Sequence, residues 1–354
     1  MTHKTKPSKA RRRVHAKRTT WVSRPMPTMN QVAEASGFSQ MTVSRAFLDS
    51  APIRKETRDT ILKVAAEIGY FHNKTASILA SKQLRAFGIV LPTLLDSIYR
   101  PFVDGAREVF EAHGADYLLQ TIDYTPEREV HAIGALISQR VRAILLPSIG
   151  HTRQIKHMIK ESPVPVIEVG NLPKRPIHFA VGHSDFDAGY AATRRLIEVG
   201  RRRIAILCGY VDQTSNARDR LNGYLQALTE AGLRISRRRI AETEHTVEAG
   251  LQALDRLDRL STLDAIVIAG EIWSSAALLE MLRKGKRIPE DVAMIGIGET
   301  DLGRYLPVPM SFVALPRRET GKVAAEMAVT LSEEKAVEER VVRLPVKLMI
   351  HESG

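Results

Sequence analysis

The sequence predicts a small all-α helix-turn-helix headpiece followed by an α/β core of two doubly wound parallel-sheet lobes. Three observations carry that reading. Residues 29–48 (MNQVAEASGFSQMTVSRAFL) break into two short helical segments around a glycine. From Ala86 onward, near-continuous apolar strands alternate with amphipathic helices. Two such sets of about five strands exceed one comfortable sheet, so two lobes with a cleft between them is the economical arrangement. Ligands of such folds bind at the C-terminal ends of the strands.

The headpiece comes first. Val32, Ala33 and Ala35 give its first helix an apolar side with small residues where another helix can approach. Gly37 tolerates the positive φ of a tight turn, and Ser39 is a good N-cap for the next helix. That helix, 40–48, sets Val43, Ala46 and Phe47 on one face as core and leaves Gln40, Met41, Ser44 and Arg45 outward. Side chains able to read bases at the N-terminal half of a second helix are what a helix-turn-helix presents to DNA. After the loop DSAPI a third helix spans 55–68, with Ile61, Val64 or Ala65, and Ile68 as its buried stripe and Gly69 as its C-cap. Residues 73–84 (NKTASILASKQL) can be capped by Asn73 but are too few for a helix stable alone in water. They read as a conditional helix or a linker.

AFGIVLP opens the core as a buried strand, followed by a helix near 101–113. DYLLQT, a helix over PEREVHAIGALISQ, RAILLPS, a helix near 153–160 and PVPVIEVG continue the cycle. The second set reads as FAVGH, a helix 187–199, RIAILCG, a helix 216–231 and IAETE. A helix 247–260, DAIVIAG, a helix 273–284 and VAMIGIG complete it. RVVRLPVKLMI is strand-like, and no heptad tail follows it, which predicts no tetramer.

With 44% hydrophobic and 26% charged residues, the 354-residue chain has the composition of a globular protein with real cores. Its formal charge of +12 is uneven: residues 1–24 hold nine Lys and Arg and no acid, which leaves +3 for the rest. One reading of this tail is a solvated arm attracted to polyanions. The other is an idle upstream extension, with Met26 or Met29 as the start. An organelle transit peptide would need a better apolar face than Val14, Ala16, Trp21 and Val22 provide, and no h-region follows to make a secretory signal. No stretch approaches the ~18 apolar residues of a membrane span. The single cysteine, Cys208, lies in the buried-strand pattern IAILCGY, excludes a disulfide framework and fits a reducing cytoplasm. No Walker loop, HExxH, GxSxG or CxxC motif occurs, and GIGETD is only a fragment of a dinucleotide motif. His113, His131 and His157 fall on helices as surface residues. Neither an enzyme nor a metal or cofactor site is expected.

VAEASGFSQMTVSRAF, TRDTILKVAAEIGYFHN and ASILASKQ, with FGIVLP, RLNGY and IPEDVAMIGIGE in the core, resemble the lac repressor family of bacterial transcription regulators over residues 27–354. The run VA-x(3)-G-x-S-x(2)-TVSR is the most specific part. LPTLLDSIYRPF and ALPRRETG look most similar to its gluconate-utilisation repressor branch. The layout that follows is a basic tail 1–24, a headpiece 25–72, a hinge 73–84 and a core 85–354. Within the core the N-lobe takes about 85–182 and 313–340, and the C-lobe about 183–312 and 341–354.

The resemblance implies roles for particular residues. Gln40 and Met41 face base edges in the major groove and Arg45 is the third reader. Arg45 suits a guanine, Gln40 an adenine and Met41 a thymine methyl. Ser39, Thr42 and Ser44 suit phosphate contact, and Asn73 joins the DNA-binding set at the start of the hinge. Two hinge helices would pair in the minor groove, each inserting Leu79 as a wedge, most cheaply at a pyrimidine–purine step. The family usually has Asn where this chain has Leu48 and Ser where it has Arg54, so Arg54 is expected to touch a phosphate rather than cap the third helix.

For the cleft, the loop TLLDSIY should contribute Asp96 and Tyr99, and Arg220 matches the family's effector-binding arginine. A guanidinium suits a carboxylate or vicinal hydroxyls. His245 stands in place of a family aromatic, and Glu271 follows DAIVIAG where the family often has Asp. Gly298 stands where many sugar-binding members carry an acid, with Glu299 as its substitute. Keeping Arg220 without that acid leans toward an anionic sugar such as gluconate or a related aldonate. The expected protein is a cytoplasmic, homodimeric, allosteric repressor of carbohydrate or sugar-acid utilisation genes. It would bind a near-palindromic operator and a small sugar-like effector, with no membrane contact. The main rival, a two-lobed sugar-binding protein without DNA function, would need an export signal and no headpiece.

Overall fold

The computed structural model describes residues 27–47, 52–70, 86–93, 97–260 and 263–354, and the chain divides near residue 80 into two compact units. The tail 1–24, the hinge with Asn73 and Leu79, Leu48 and Asp96 lie outside the described residues.

In the headpiece, α1 (Met29–Ser36) opens with a capping box. The Gln31 amide donates to Thr28 Oγ1 (3.4 Å), and the Thr28 amide donates to Gln31 Oε1 (2.7 Å). Gly37, at φ +74°, makes the left-handed turn and closes the helix onto the Ala33 carbonyl. α2 (Gln40–Ala46) starts where Ser39 accepts from the Thr42 amide, and ends two residues short of the expected 48. α3 (Lys55–Glu67) stops in a Schellman arrangement, the Gly69 amide reaching the Ala66 carbonyl and the Tyr70 amide that of Ala65. Val32, Val43, Ala46, Ile61, Ala65 and Tyr70 form the core, with Phe47 edge-on to Tyr70 at 5.5 Å. Ala35, expected on the buried side, is exposed; the contact stripe of so short a helix is centred on Val32, with Ala33 at its edge.

Each lobe of the core is a sheet between two helical layers. The N-lobe strands are β1 (Ala86–Leu91), β2 (Asp116–Thr121), β3 (Ile144–Pro147), β4 (Val166–Asn171), β5 (Phe179–His183) and β11 (Val341–Arg343). They run β11-β5-β4-β3-β1-β2, every pair parallel. α4 (Arg100–Ala112) and α11 (Arg317–Ser332) cover one face, α5 (Pro126–Ser138) and α6 (Arg153–Lys160) the other. The C-lobe strands are β6 (Ile204–Gly209), β7 (Ile240–Thr243), β8 (Ala265–Ile268), β9 (Ala293–Ile297), β10 (Ser311–Ala314) and β12 (Lys347–Met349). They run β12-β10-β9-β8-β6-β7, parallel except for β12 against β10. α7 (Asp185–Glu198) and α8 (Ser215–Glu230) cover one face, α9 (Val247–Asp258) and α10 (Glu271–Arg283) the other. β1, β3, β8 and β9 are buried at every residue, which is why they read as unbroken apolar runs.

Three details differ from the sequence reading. FAVGH, taken as the first strand of the second set, pairs with β4 in the N-lobe sheet. Residues 311–314 belong to the C-lobe sheet, so the return to the N-lobe comes at α11 rather than at 313. RVVRLPVKLMI, assigned whole to the C-lobe, is two strands: Val341–Arg343 joins the N-lobe sheet and Lys347–Met349 the C-lobe sheet. Pro345, with no N–H to donate, stands in the break between them.

Candidate functional site

On the headpiece, Gln40, Met41 and Arg45 project from α2 into solvent, Met41 with 67% of its surface exposed. Val43 and Ala46 bury the opposite face, so Met41 does not serve the core. Ser39 caps the helix, its hydroxyl 2.9 Å from Thr42 Oγ1, and Thr42 and Ser44 are half-buried at the edge of the outward face. Arg54 is exposed and holds the N-cap position of α3 without a side-chain capping bond. The face therefore offers an amide, a thioether and a guanidinium, the chemistries that match adenine, a thymine methyl and guanine.

In the core, two adjoining chambers lie between the lobes, of about 390 and 90 Å³. Leu91 and Gly209, which end β1 and β6, and Ser148 and Ala269, which follow β3 and β8, line them. Both sheets reverse strand order between those pairs, so the cleft sits at the switch point of each lobe. Bonds across the lobes frame it. The Ser215 amide and hydroxyl donate to the carbonyls of Ile149 and Ser148, each at 3.1 Å, and the Asn171 amide donates to Asp219 at 2.7 Å. The larger chamber has an aromatic wall, with the His245 ring 6.0 Å from Tyr124 and 5.4 Å from Trp273.

Arg220 lines both chambers from the buried side of α8. α8 approaches α7 closely because Gly189 has no side chain; a Cβ there would stand 2.1 Å from the Arg220 carbonyl oxygen. Arg220 Nε donates to Asp185 at 2.6 Å and an η nitrogen to the Ala269 carbonyl at 3.1 Å. The same guanidinium lies 4.0 Å from Glu271, which accepts from Arg317 at the start of α11. Burial alone would raise the Asp185 pKa, but the Arg220 charge more than offsets it and holds it well below the usual carboxylate range. Glu271 behaves alike: burial opposes ionisation, and Arg317 and then Arg220 lower its pKa. The result is an alternating row, buried Asp185, Arg220 and Glu271 and half-buried Arg317, along the smaller chamber.

Of the residues expected at the cleft, Arg220, Tyr99 and His245 line it and Glu271 borders it. The Tyr99 hydroxyl is 2.9 Å from that of Tyr124, and burial, then Tyr124, raises its pKa. Glu299 departs from expectation. It is exposed, pairs with Arg304 at 3.2 Å and lines neither chamber. The chain turns at Gly298 (φ +90°), and the Glu271 carboxylate fills the space where a side chain at 298 would be: an ideal Cβ would lie 1.8 Å from Glu271 Oε1. Sequence reasoning missed Asp185, His183 and Arg317, which stand at helix starts or a strand end with nothing in the local pattern to mark a partner. It also missed a buried cluster at the larger chamber, where His151 Nδ1 meets Glu129 at 2.6 Å and Nε2 lies 3.4 Å from Glu168. Cys208 is buried as expected, and burial pushes its thiol up to about 12.

Among the described residues no helix is long and apolar enough to cross a membrane. Residues 28–73 match the model for bacterial regulatory proteins of the lacI family, and residues 193–353 that for a periplasmic binding protein-like domain. The HTH-type transcriptional regulator GntR of Escherichia coli (strain K12) is 28% identical over 85% of this chain and 90% of its own length. The regulator CelR of Thermobifida fusca is 29% identical over 94% and 99%. A LacI-family regulator from Silicibacter pomeroyi superposes with a TM-score of 0.82 at 26% identity, covering 92% of this chain and 99% of that one. The lac repressor dimer bound to operator, at 22% identity and a TM-score of 0.80 over 93% and 99%, shares the fold. A reading helix, a two-lobed core and relatives that are transcriptional regulators rather than enzymes lead to one conclusion: the chain is a DNA-binding transcription regulator that joins a lacI-family helix-turn-helix domain to a periplasmic-binding-protein-like domain.

Proposed function

We propose that the chain acts as a cytoplasmic homodimer that represses carbohydrate or sugar-acid utilisation genes from a near-palindromic operator. A small sugar or sugar acid, gluconate or a related aldonate among the candidates, controls it from the cleft. The observation that carries this reading is the pairing, on one chain, of an outward Gln40–Met41–Arg45 face with a two-chambered cleft at the switch point of both sheets. A solved relative of 27% identity is described as a CelR–cellobiose complex, which supports a saccharide as the class of effector. Gln40, Met41 and Arg45 read bases, Ser39, Thr42, Ser44, Arg54 and Asn73 hold phosphates, and Leu79 of each hinge wedges into the minor groove. An effector that binds one lobe arrangement more tightly than the other shifts the population able to pair its hinges on DNA. Footprinting of the purified protein on its own upstream region, at low salt with and without sugars, tests this. Protection over a two-fold site that changes with a sugar is expected; no protected DNA under any condition would sink the proposal.

A further inference from the structure

The lean toward an anionic effector rested on an acid missing at Gly298 beside a retained Arg220. The acid is not missing. Glu271 reaches the place from the first turn of α10, and it can do so only because residue 298 has no Cβ to stand 1.8 Å from its carboxylate. There it pairs with Arg317 and lies 4.0 Å from Arg220, whose Nε is already on Asp185. Both guanidiniums that line the smaller chamber are therefore matched one-for-one by buried carboxylates. The larger chamber adds Glu129, whose cluster sets one imidazole, His151, between two carboxylates. An anion entering this cleft finds no uncompensated cation and at least one surplus carboxylate.

The unsatisfied polar atoms call for hydroxyl groups. His183, 4% exposed, lines the smaller chamber with Nε2 turned toward Asp185 at 3.8 Å and with no hydrogen-bond partner on Nδ1 among the described residues. Asn216 Oδ1, on the wall shared by the two chambers, also lacks one. An amide oxygen only accepts, and a hydroxyl group both donates and accepts, so a polyhydroxylated ligand answers such atoms. The aromatic wall of Tyr124, His245 and Trp273 suits the apolar face of a sugar ring.

We infer that the cleft selects an uncharged, polyhydroxylated effector over the corresponding acid, and that Glu271, seated in the space left by Gly298, sets this preference by neutralising Arg317. The inference rests on the reading of the cleft as an effector site and narrows it to a ligand class.

The test uses the full chain and matched pairs: glucose with gluconate, galactose with galactonate, cellobiose with cellobionate. Calorimetric titration gives affinity, and operator retention is followed in parallel. For at least one pair the neutral member is expected to bind about tenfold or more tightly than its acid. If in every pair that binds the acid binds as well as or better than its neutral partner, the inference is overturned and the sugar-effector reading is left standing. Neutral binding without any change in operator retention sustains the inference and overturns effector control. No binding by any member overturns both. In Glu271→Gln the acid-to-neutral affinity ratio is expected to rise about tenfold, because Arg317 then lacks its counter-charge. An unchanged ratio in the folded variant removes the role assigned to Glu271. The wild-type comparison decides ligand class even if that variant does not fold.

Discussion

Arg220→Met isolates how far the arginine expected to bind effector is first a structural residue. Arg220 and Asp185 are 6% and 2% exposed and joined at 2.6 Å. Removing the guanidinium leaves a buried carboxylate without its counter-charge, which typically costs about 3–5 kcal/mol. Replacing both members, in Asp185→Asn with Arg220→Met, removes the stranded charge and is expected to recover most of that loss. The sign with pH follows. In the wild type the Asp185 pKa is depressed, so its contribution is present above the unfolded value of 3.8 and lost as pH falls through the lower folded value. In the single variant Arg220 no longer lowers the pKa and only His183, 3.8 Å away, still opposes burial, so the pKa rises from its wild-type position, protonation relieves the stranded charge and the deficit shrinks as pH falls. Urea unfolding of the core at pH 7 and at about pH 5 measures all of this. A loss below about 1 kcal/mol, a double variant no better than the single one, or a deficit that does not change with pH would refute the buried-pair argument. Effector binding lost in Arg220→Met has meaning only after that stability loss is taken into account.

His151 has a pH signature of opposite sign. Burial opposes its charged form, but the bonds to Glu129 and Glu168 outweigh it and raise its pKa from 6.5 to about 9. Its contribution to stability is therefore complete below pH 6.5 and lost as pH rises through about 9; thermal melts of His151→Gln should lack that decline, and an identical decline would assign it to other groups. Gly298→Ala must place a side chain at φ +90° against the Glu271 carboxylate, so denaturation should show a loss of more than about 1 kcal/mol; a neutral result would mean Glu271 does not occupy that space. Deleting residues 1–24 removes nine positive charges and should flatten the dependence of DNA affinity on salt in filter-binding assays; an unchanged slope would favour an idle extension. Leu79→Ala should weaken operator binding far more than nonspecific binding in gel-shift competition, and equal losses would remove the wedge.

The headpiece was legible because its instructions are local. Thr28, Gly37, Ser39 and Gly69 stop and start helices within a few residues of themselves, and Val43, Ala46 and Ile61 fall at helical spacing. The strands were legible for a similar reason, since a strand covered on both faces must be apolar throughout. Sheet membership was not. β5, β10 and β11 carry the same apolar signature whichever lobe they join, and only packing of the whole chain assigns them.

The site divides along the same line. Fold-class reasoning placed Tyr99 in the loop after the first core strand, where a doubly wound lobe opens its crevice, and the resemblance to a known family pointed to Arg220, His245 and Glu271. It could not say what those side chains touch. Asp185 is 35 residues from Arg220 and Arg317 is 46 from Glu271, separations at which nothing in the local pattern records a partner. Glu299, adjacent to Gly298 in the chain, was the natural substitute for a missing acid, yet the acid comes from Glu271 at the start of α10. Charge compensation in a buried cleft depends on distances of a few ångströms between residues far apart in sequence, and only the tertiary structure sets those distances.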